Sequence, residues 1–596
     1  MNSKSYAVVK IILSILLIIL IQMNIDMNVL PHESFYSKDR VTDVFLFAVI
    51  YCSFSIWEKG KNKYKRWSLI IASFIAVFYV FGYNIERYLD IFTRYNHNWI
   101  MGKLFLKWIG CWYAFSTLLL LSYERLDKLK RWNINKKIAG ISKFVRYLLL
   151  TLIFVICWTF SLINNFPGVI YADSWNQIYQ ALGIENFTNH HPMIHTLFLK
   201  ICFIMGGDIK KGIILYTIIS FFGIIFILSG IINLMIEENF DLRMIIISCF
   251  LYLFFPSIQM FAITITKDSW FAAFVGIFLL ELYIVLINKK WGGHTAALAV
   301  AATGVGIFRK NGIYLLIFTV VYMSIYMCIC KKRRIKKRRI KKSLIICMFA
   351  IFLNMSIEKG ILYFSTIDQG SPREMLSLPI QQMARIEKNV KVLNSELKKE
   401  IDSFFKDGID LGEKYYPLIS DNAKDCFDEK KYYGREKEFL ILSIRLFCKY
   451  PEESLEAFMC NSFGYWYPIA VNWFYAENCN KQLNIGKIVE QHEYPWSVEY
   501  IYFNEFKNIT GLASFLSIGM IFWIYMIIGG YLAANKKYEK LTLIIPMGAL
   551  WITSVASPVY NELRYVLSIY IVLPVIGQLV ITDLNDINGD LSKEEI

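Results

Sequence analysis

GIILYTIISFFGIIFILSGIINLM, residues 212–235, decides the fold, because it carries no charged side chain from end to end. A helix needs ~20 apolar residues to cross a ~30 Å hydrocarbon core, and this stretch supplies them. Thirteen further stretches read the same way, at about 6–23, 42–57, 67–84, 105–122, 145–163, 244–262, 268–288, 293–308, 312–330, 343–365, 512–534, 540–557 and 564–582. A shorter apolar piece at 193–206 falls below a crossing length. The 596-residue chain is 56% hydrophobic and only 19% charged, and its charges stand in blocks between the apolar runs. A soluble chain of this length buries a core without so apolar an average. The expected fold class is therefore an all-α polytopic membrane protein with about 14 transmembrane helices.

Net charge is +16, yet much of the excess sits in one run, Lys331 to Lys342, between two apolar segments. Such a run reads as an anchor beside anionic membrane lipids rather than as a nucleic-acid arm. The N-terminal apolar stretch has no small-residue cleavage site after it and reads as an uncleaved first helix. The twelve cysteines are scattered without metal-ligand spacing; Cys426, Cys448, Cys460 and Cys479 fall in a long polar segment and pair only if it faces an oxidising compartment.

Basic residues set the expected orientation. Lys59, Lys61, Lys63, Lys65 and Arg66 place the second loop in the cytoplasm, and the cluster from Arg125 to Arg146 does the same for the fourth. The helix at 145–163 then runs outward and leaves Asp173 outside. Counting back from Lys331–Lys342 puts Arg309 and Asp268 on that same outer face. Both counts agree only if 193–206 does not cross, so it is expected to be re-entrant or interfacial. Four units follow: a four-helix block at 1–144, a catalytic transmembrane module at 145–365 with an outer loop at 164–211, a mostly helical extracytoplasmic domain at 366–511, and a three-helix block with a cytoplasmic tail at 512–596.

Polar residues cluster along the outer face. Asn164-Asn165-Phe166-Pro167-Gly168 ends one helix; Asp173, Gln177 and Gln180 then share a helical face, and His190-His191-Pro192 leads into the short apolar piece. A carboxylate there suits general-base work on a hydroxyl, and histidines suit a phosphate or a cation. The plain alternatives are Asp173 capping the helix Ser174–Leu182 and Asp268 capping the next one. Thr266-Lys267-Asp268-Ser269-Trp270 forms the second cluster and Phe308-Arg309-Lys310-Asn311-Gly312 the third, with Arg309 suited to bidentate phosphate binding. Glu562 and Arg564 enter the last helix, and Pro379-Ile380-Gln381-Gln382-Met383-Ala384-Arg385 opens the long polar segment just after Arg373. No Walker motif or dinucleotide fingerprint is present.

In this order the clusters resemble the GT-C superfamily of integral-membrane glycosyltransferases, over about 145–582. Asp173 matches that superfamily's first outer-loop acid, His190-His191-Pro192 its proline motif, and Asp268 its second acid. The resemblance implies catalytic roles for Asp173, Asp268, His190 and His191. It implies substrate contacts for Gln177, Lys267, Arg309, Arg373, Gln381, Arg385 and Arg564. It further implies sugar transfer from a polyprenyl-phosphate donor to an extracytoplasmic glycan or lipid acceptor. Where the superfamily commonly has an acidic pair this chain has Asp173-Ser174, so the resemblance fixes no cofactor and leaves dependence on a divalent metal open. A polysaccharide polymerase or ligase, or a transporter or flippase of lipid-linked sugars, is the alternative. Few charges lie in mid-span, Glu281 being one.

Overall fold

The computed structural model describes residues 3–23, 40–89, 97–135, 138, 140–170, 172–329, 334–364, 370–390, 393–468, 477–478, 516–556, 559 and 561–581. Helices account for nearly all of it. The N-terminal block holds α1 (Ser3–Gln22), α2 (Arg40–Lys59), α3 (Asn62–Tyr88) and α4 (His97–Leu126). The middle of the chain forms α5 (Lys143–Asn164), α6 (Ala172–Leu182), α7 (Met193–Gly206), α8 (Ile209–Glu237), α9 (Leu242–Phe254), α10 (Pro256–Ala262), α11 (Lys267–Tyr283), α12 (Gly293–Phe308), α13 (Asn311–Ile329) and α14 (Arg334–Phe364). A domain at 370–468 follows, built on α15 (Ser377–Asn389), α16 (Ser395–Asp402), α17 (Glu436–Lys449) and α18 (Pro451–Ser462). The chain then adds α19 (Ile518–Ala534), α20 (Ile545–Ala556), α21 (Leu563–Val566) and α22 (Ser568–Ile581).

Among the described residues, each apolar stretch read from the sequence is helical over most of its length. Among the described residues nine helices are long and apolar enough to cross a membrane, and the bent pair α9–α10 makes a tenth. In hydrocarbon only a helix or a closed barrel satisfies its own backbone, so such runs have one outcome. The 57° bend falls at Pro256, which lacks an amide proton and pushes Phe255 to an extended conformation. α1, α12 and α19 are shorter apolar helices. So is α7; at ~1.5 Å per residue it falls well short of a bilayer core. The left-handed Gly207 ends it, and Asp208 caps α8 by accepting the Lys211 amide at 2.7 Å.

The main core joins α5 and α8 through α14 to α19–α22. A second, separate core holds the 370–468 domain together, with Ile380, Ile401, Phe404, Phe427, Phe439 and Leu442 at its centre. That domain is seated on the bundle by Cys460, Phe463 and Tyr467 against α3 and α4. Tyr467 packs closely on Gly82, where a Cβ would come within 2.2 Å of its ring. Cys426 and Cys448 are free thiols, and the Cys460 thiol donates to the Leu89 carbonyl at 3.7 Å. Cys479 and the tail from 582 lie outside the described residues.

After α5 the chain forms its one described strand pair, β1 (Val169–Ile170) antiparallel to β2 (Glu477–Asn478). On its other edge Val169 bonds the turn ahead of α11: its amide donates to the Ile263 carbonyl at 3.1 Å, and its carbonyl accepts the Ile265 amide at 2.8 Å. Gly168 allows the approach. Its φ is +148°, and a Cβ there would stand 2.4 Å from Thr217 Oγ1. Gly168→Ala is expected to destabilise the protein by about 1–3 kcal/mol, measured as a lowered thermal midpoint in detergent; an unchanged midpoint would show that the clasp yields.

Candidate active site at the head of α11

The turn Thr266-Lys267-Asp268 is buried, and five other parts of the chain converge on it. The cap of α11 is Thr266, which corrects the plain expectation for Asp268. Thr266 Oγ1 accepts the Asp268 amide at 3.3 Å and donates to Asp268 Oδ2 at 3.1 Å. Asp268 is therefore a first-turn residue whose second oxygen faces inward. Oδ1 stands 3.4 Å from Arg309 Nη1 but takes no hydrogen bond from it. Arg309, at the α12–α13 turn, spends its donor on the Tyr565 carbonyl at 2.8 Å and stacks over the Tyr565 and Phe271 rings. A fully buried carboxylate oxygen held by charge alone retains capacity to accept from a ligand hydroxyl.

Lys267 points the other way, donating to His191 Nδ1 at 3.0 Å. His190 packs edge-on against His191, 4.5 Å between centroids. Gly370, at the entry to the 370–468 domain, sits against His190. Lys310 donates to the Asn189 carbonyl and stands 3.9 Å from Glu358. Burial pulls the Lys310 ammonium below its ordinary value, partly countered by Glu358. Beside it a cleft runs between α7, α12, α13 and α14, walled by Ile194, Ile307, Ile313, Ile357 and Ile361.

α6 is anchored to the same turn, since Ser174 Oγ donates to the Ile265 carbonyl. The helix begins at Ala172, so Asp173 stands inside its first turn rather than capping it; the Asp173 side chain lies outside the described residues. Gln177 and Gln180 face inward as their spacing predicts. A residue absent from the sequence reading completes the wall. His195 Nε2 lies 2.8 Å from Tyr216 Oη, which in turn donates to the Thr266 carbonyl at 3.0 Å. A carbonyl only accepts, so the tyrosine takes its own bond from an Nε2–H. Gln177 sits 3.1 Å from His195 Nδ1 and 3.0 Å from Thr196 Oγ1, and a neutral ring requires its amide nitrogen to face Nδ1. Burial, helped by the Lys267 charge, holds the His195 pKa down at about 3. Nothing in the sequence marked it, since it lies within the apolar helix α7 whereas His191 precedes that helix's Pro192 cap.

Three expected ligand residues lie elsewhere. Gln381 donates to the Tyr416 carbonyl at 2.6 Å, and Arg385 pairs with Glu456 at 2.5 Å and Tyr415 at 3.0 Å, inside the 370–468 domain. Arg373 meets Asp425 at 3.3 Å on that domain's surface. Arg564 is closer to the site: it lies over the Tyr565 ring that also receives Arg309, and its Nε is 3.5 Å from Glu562. Among the described residues no three His, Cys, Asp or Glu side chains come together as a metal-binding set.

Residues 183–586 match the model of a family of unknown function (DUF6020). The chain belongs to that family. The DUF6020 match takes in His190, His191, Lys267, Asp268, Arg309 and Arg564, and starts after Asp173 and Gln177. No curated protein and no solved structure matches the chain.

Two outcomes test the geometry. Asp268→Asn or Arg309→Gln alone leaves one buried charge stranded and is expected to cost about 3–5 kcal/mol, with the double variant costing less than the sum; additive losses would separate the two residues. His195 has a folded pKa depressed below its ordinary 6.5. Stability is then intact above about pH 6.5 and falls as pH drops toward the folded value, by up to about 1.4 kcal/mol per unit. His195→Gln should flatten that slope in thermal melts between about pH 8 and pH 5; an unchanged slope assigns the titration to another group.

Proposed function

We propose that this protein is a membrane glycosyltransferase of the GT-C type, moving a sugar from a polyprenyl-phosphate donor to an extracytoplasmic glycan or lipid acceptor. The observation that carries the reading is the head of α11. There a buried Asp268 oxygen without a hydrogen bond stands beside Arg309, next to the Lys267–His191 contact, on a turn bonded to the strand that leads into the Asp173 helix. In this reading the end of the bundle bearing the 370–468 domain faces outward and both chain termini are cytoplasmic. Asp173 is the general base that takes the acceptor hydroxyl's proton as its oxygen attacks the anomeric carbon with inversion. Arg309, Lys267 and the histidine pair stabilise the departing lipid phosphate. Asp268 holds Arg309 in place and accepts from a substrate hydroxyl.

Asp173→Asn is expected to abolish sugar transfer while leaving the amount of protein in the membrane unchanged. A deletion strain should lack one envelope sugar, and the variant should fail to restore it. Near-normal restoration by Asp173→Asn would remove the catalytic assignment, and an unchanged envelope glycan in the deletion strain would favour transport.

A further inference from the structure

At the end of the bundle remote from Asp268, α5, α8, α11 and α12 part around a cavity of about 770 Å³. Phe144, Tyr147 and Leu234 form its apolar wall. Gly230 leaves that wall open, since a Cβ there would meet only Tyr147, at 3.7 Å. The polar side belongs to an ionisable pair: the buried Glu281 on α11 and the half-buried His294 at the start of α12, with Nδ1 2.9 Å from the carboxylate. Three residues after Glu281, α11 passes into a π-helical turn at Ile284–Asn288. Such turns are frequent at functional sites, and an ionisable pair inside a membrane bundle is costly unless it serves one. With Nδ1 engaged by Glu281, Nε2 is the ring nitrogen left to a ligand.

Charge selects the ligand. Glu281 is matched by His294, and Glu237 by Lys143 at 2.7 Å. Arg146 is buried behind the cavity, where it bonds Asn233 at 2.5 Å and the Ile141 carbonyl, with no carboxylate partner among the described residues. Lys342 stacks on Trp291 at the rim, 4.5 Å from the ring centroid. The balance is positive, and a buried guanidinium without a counter-charge is stabilised by a nearby anion. The apolar wall and the aromatic rim suit a chain lying at headgroup depth.

We propose that this cavity binds an anionic amphiphile from the adjoining leaflet, with its phosphate at Lys143, a headgroup hydroxyl donating to His294 Nε2, and its chain along Phe144, Tyr147 and Gly230. The site is separate from the α11 head and does not depend on the transferase reading. It is tested on the full-length protein in detergent by native mass spectrometry and thermal melts, with phosphatidylglycerol, phosphatidylcholine of the same chains, or inorganic phosphate added. The wild type should retain phosphatidylglycerol in preference to phosphatidylcholine and gain stability from it, while inorganic phosphate gives no comparable gain. His294→Gln should weaken retention about tenfold or more. Gly230→Leu fills the cavity without touching a charged group, so it should abolish retention while the protein elutes as the wild type does. Equal retention by wild type and Gly230→Leu, equal binding of the two lipids, or stabilisation by inorganic phosphate alone would overturn the proposal.

Discussion

The two hydrogen bonds between Val169 and the 263–265 turn hold the site together. Where α5 ends, the chain has left helix with its backbone groups still buried, and every such group must find a partner. Both groups of Val169 find theirs in the turn ahead of α11, while β1 pairs with β2 on its other edge. That clasp brings the helix carrying Asp173 to the turn carrying Lys267 and Asp268. Ser174 and Tyr216 then bond the same stretch of backbone, so α6 and α8 are referenced to one point. A hydroxyl or imidazole elsewhere in the wall inherits its position from that point.

The polar groups divide between the two ends of the bundle, and each end is satisfied differently. At the head of α11 the charges are buried in near-contact with one another but incompletely bonded, as at Asp268 Oδ1. At the other end Lys290 and Arg243 pair with Glu238 and Asp241, and Tyr64, Tyr531 and Lys61 gather on Asp127. Those pairs tie helix ends to loops and spend their capacity in doing so. The 370–468 domain is likewise self-contained, its buried Arg385–Glu456 pair closed by Tyr415. Sequence position therefore says little about which charge is available; the number of bonds already made decides it.

The helices were legible because hydropathy is local: a run such as 212–235 has one stable outcome in lipid whatever its neighbours do. The short length of α7, the break at Pro167-Gly168 and the inward face of Gln177 and Gln180 could be read in the same way. The joining of His191 to Lys267 and of Arg309 to Asp268 could be read only as membership of one face, through the charge count. The roles of Gln381 and Arg385 could not be read at all, since a polar residue in an amphipathic helix looks alike whether it meets a ligand or a neighbouring carbonyl. His195 was invisible for the opposite reason, lying in an apolar helix with its partners Gln177 and Tyr216 on other helices, 18 and 21 residues away.

Sequence alone thus determined the class of fold, the helical stretches and the face on which the polar clusters gather, because each follows from the free energy of a short segment in water or hydrocarbon. Tertiary structure decided that Thr266 rather than Asp268 caps α11, that Asp268 keeps an unbonded oxygen beside Arg309, and that Val169 bridges two distant segments. Those outcomes depend on which donor reaches which acceptor across the bundle, and only the packed chain sets that distance.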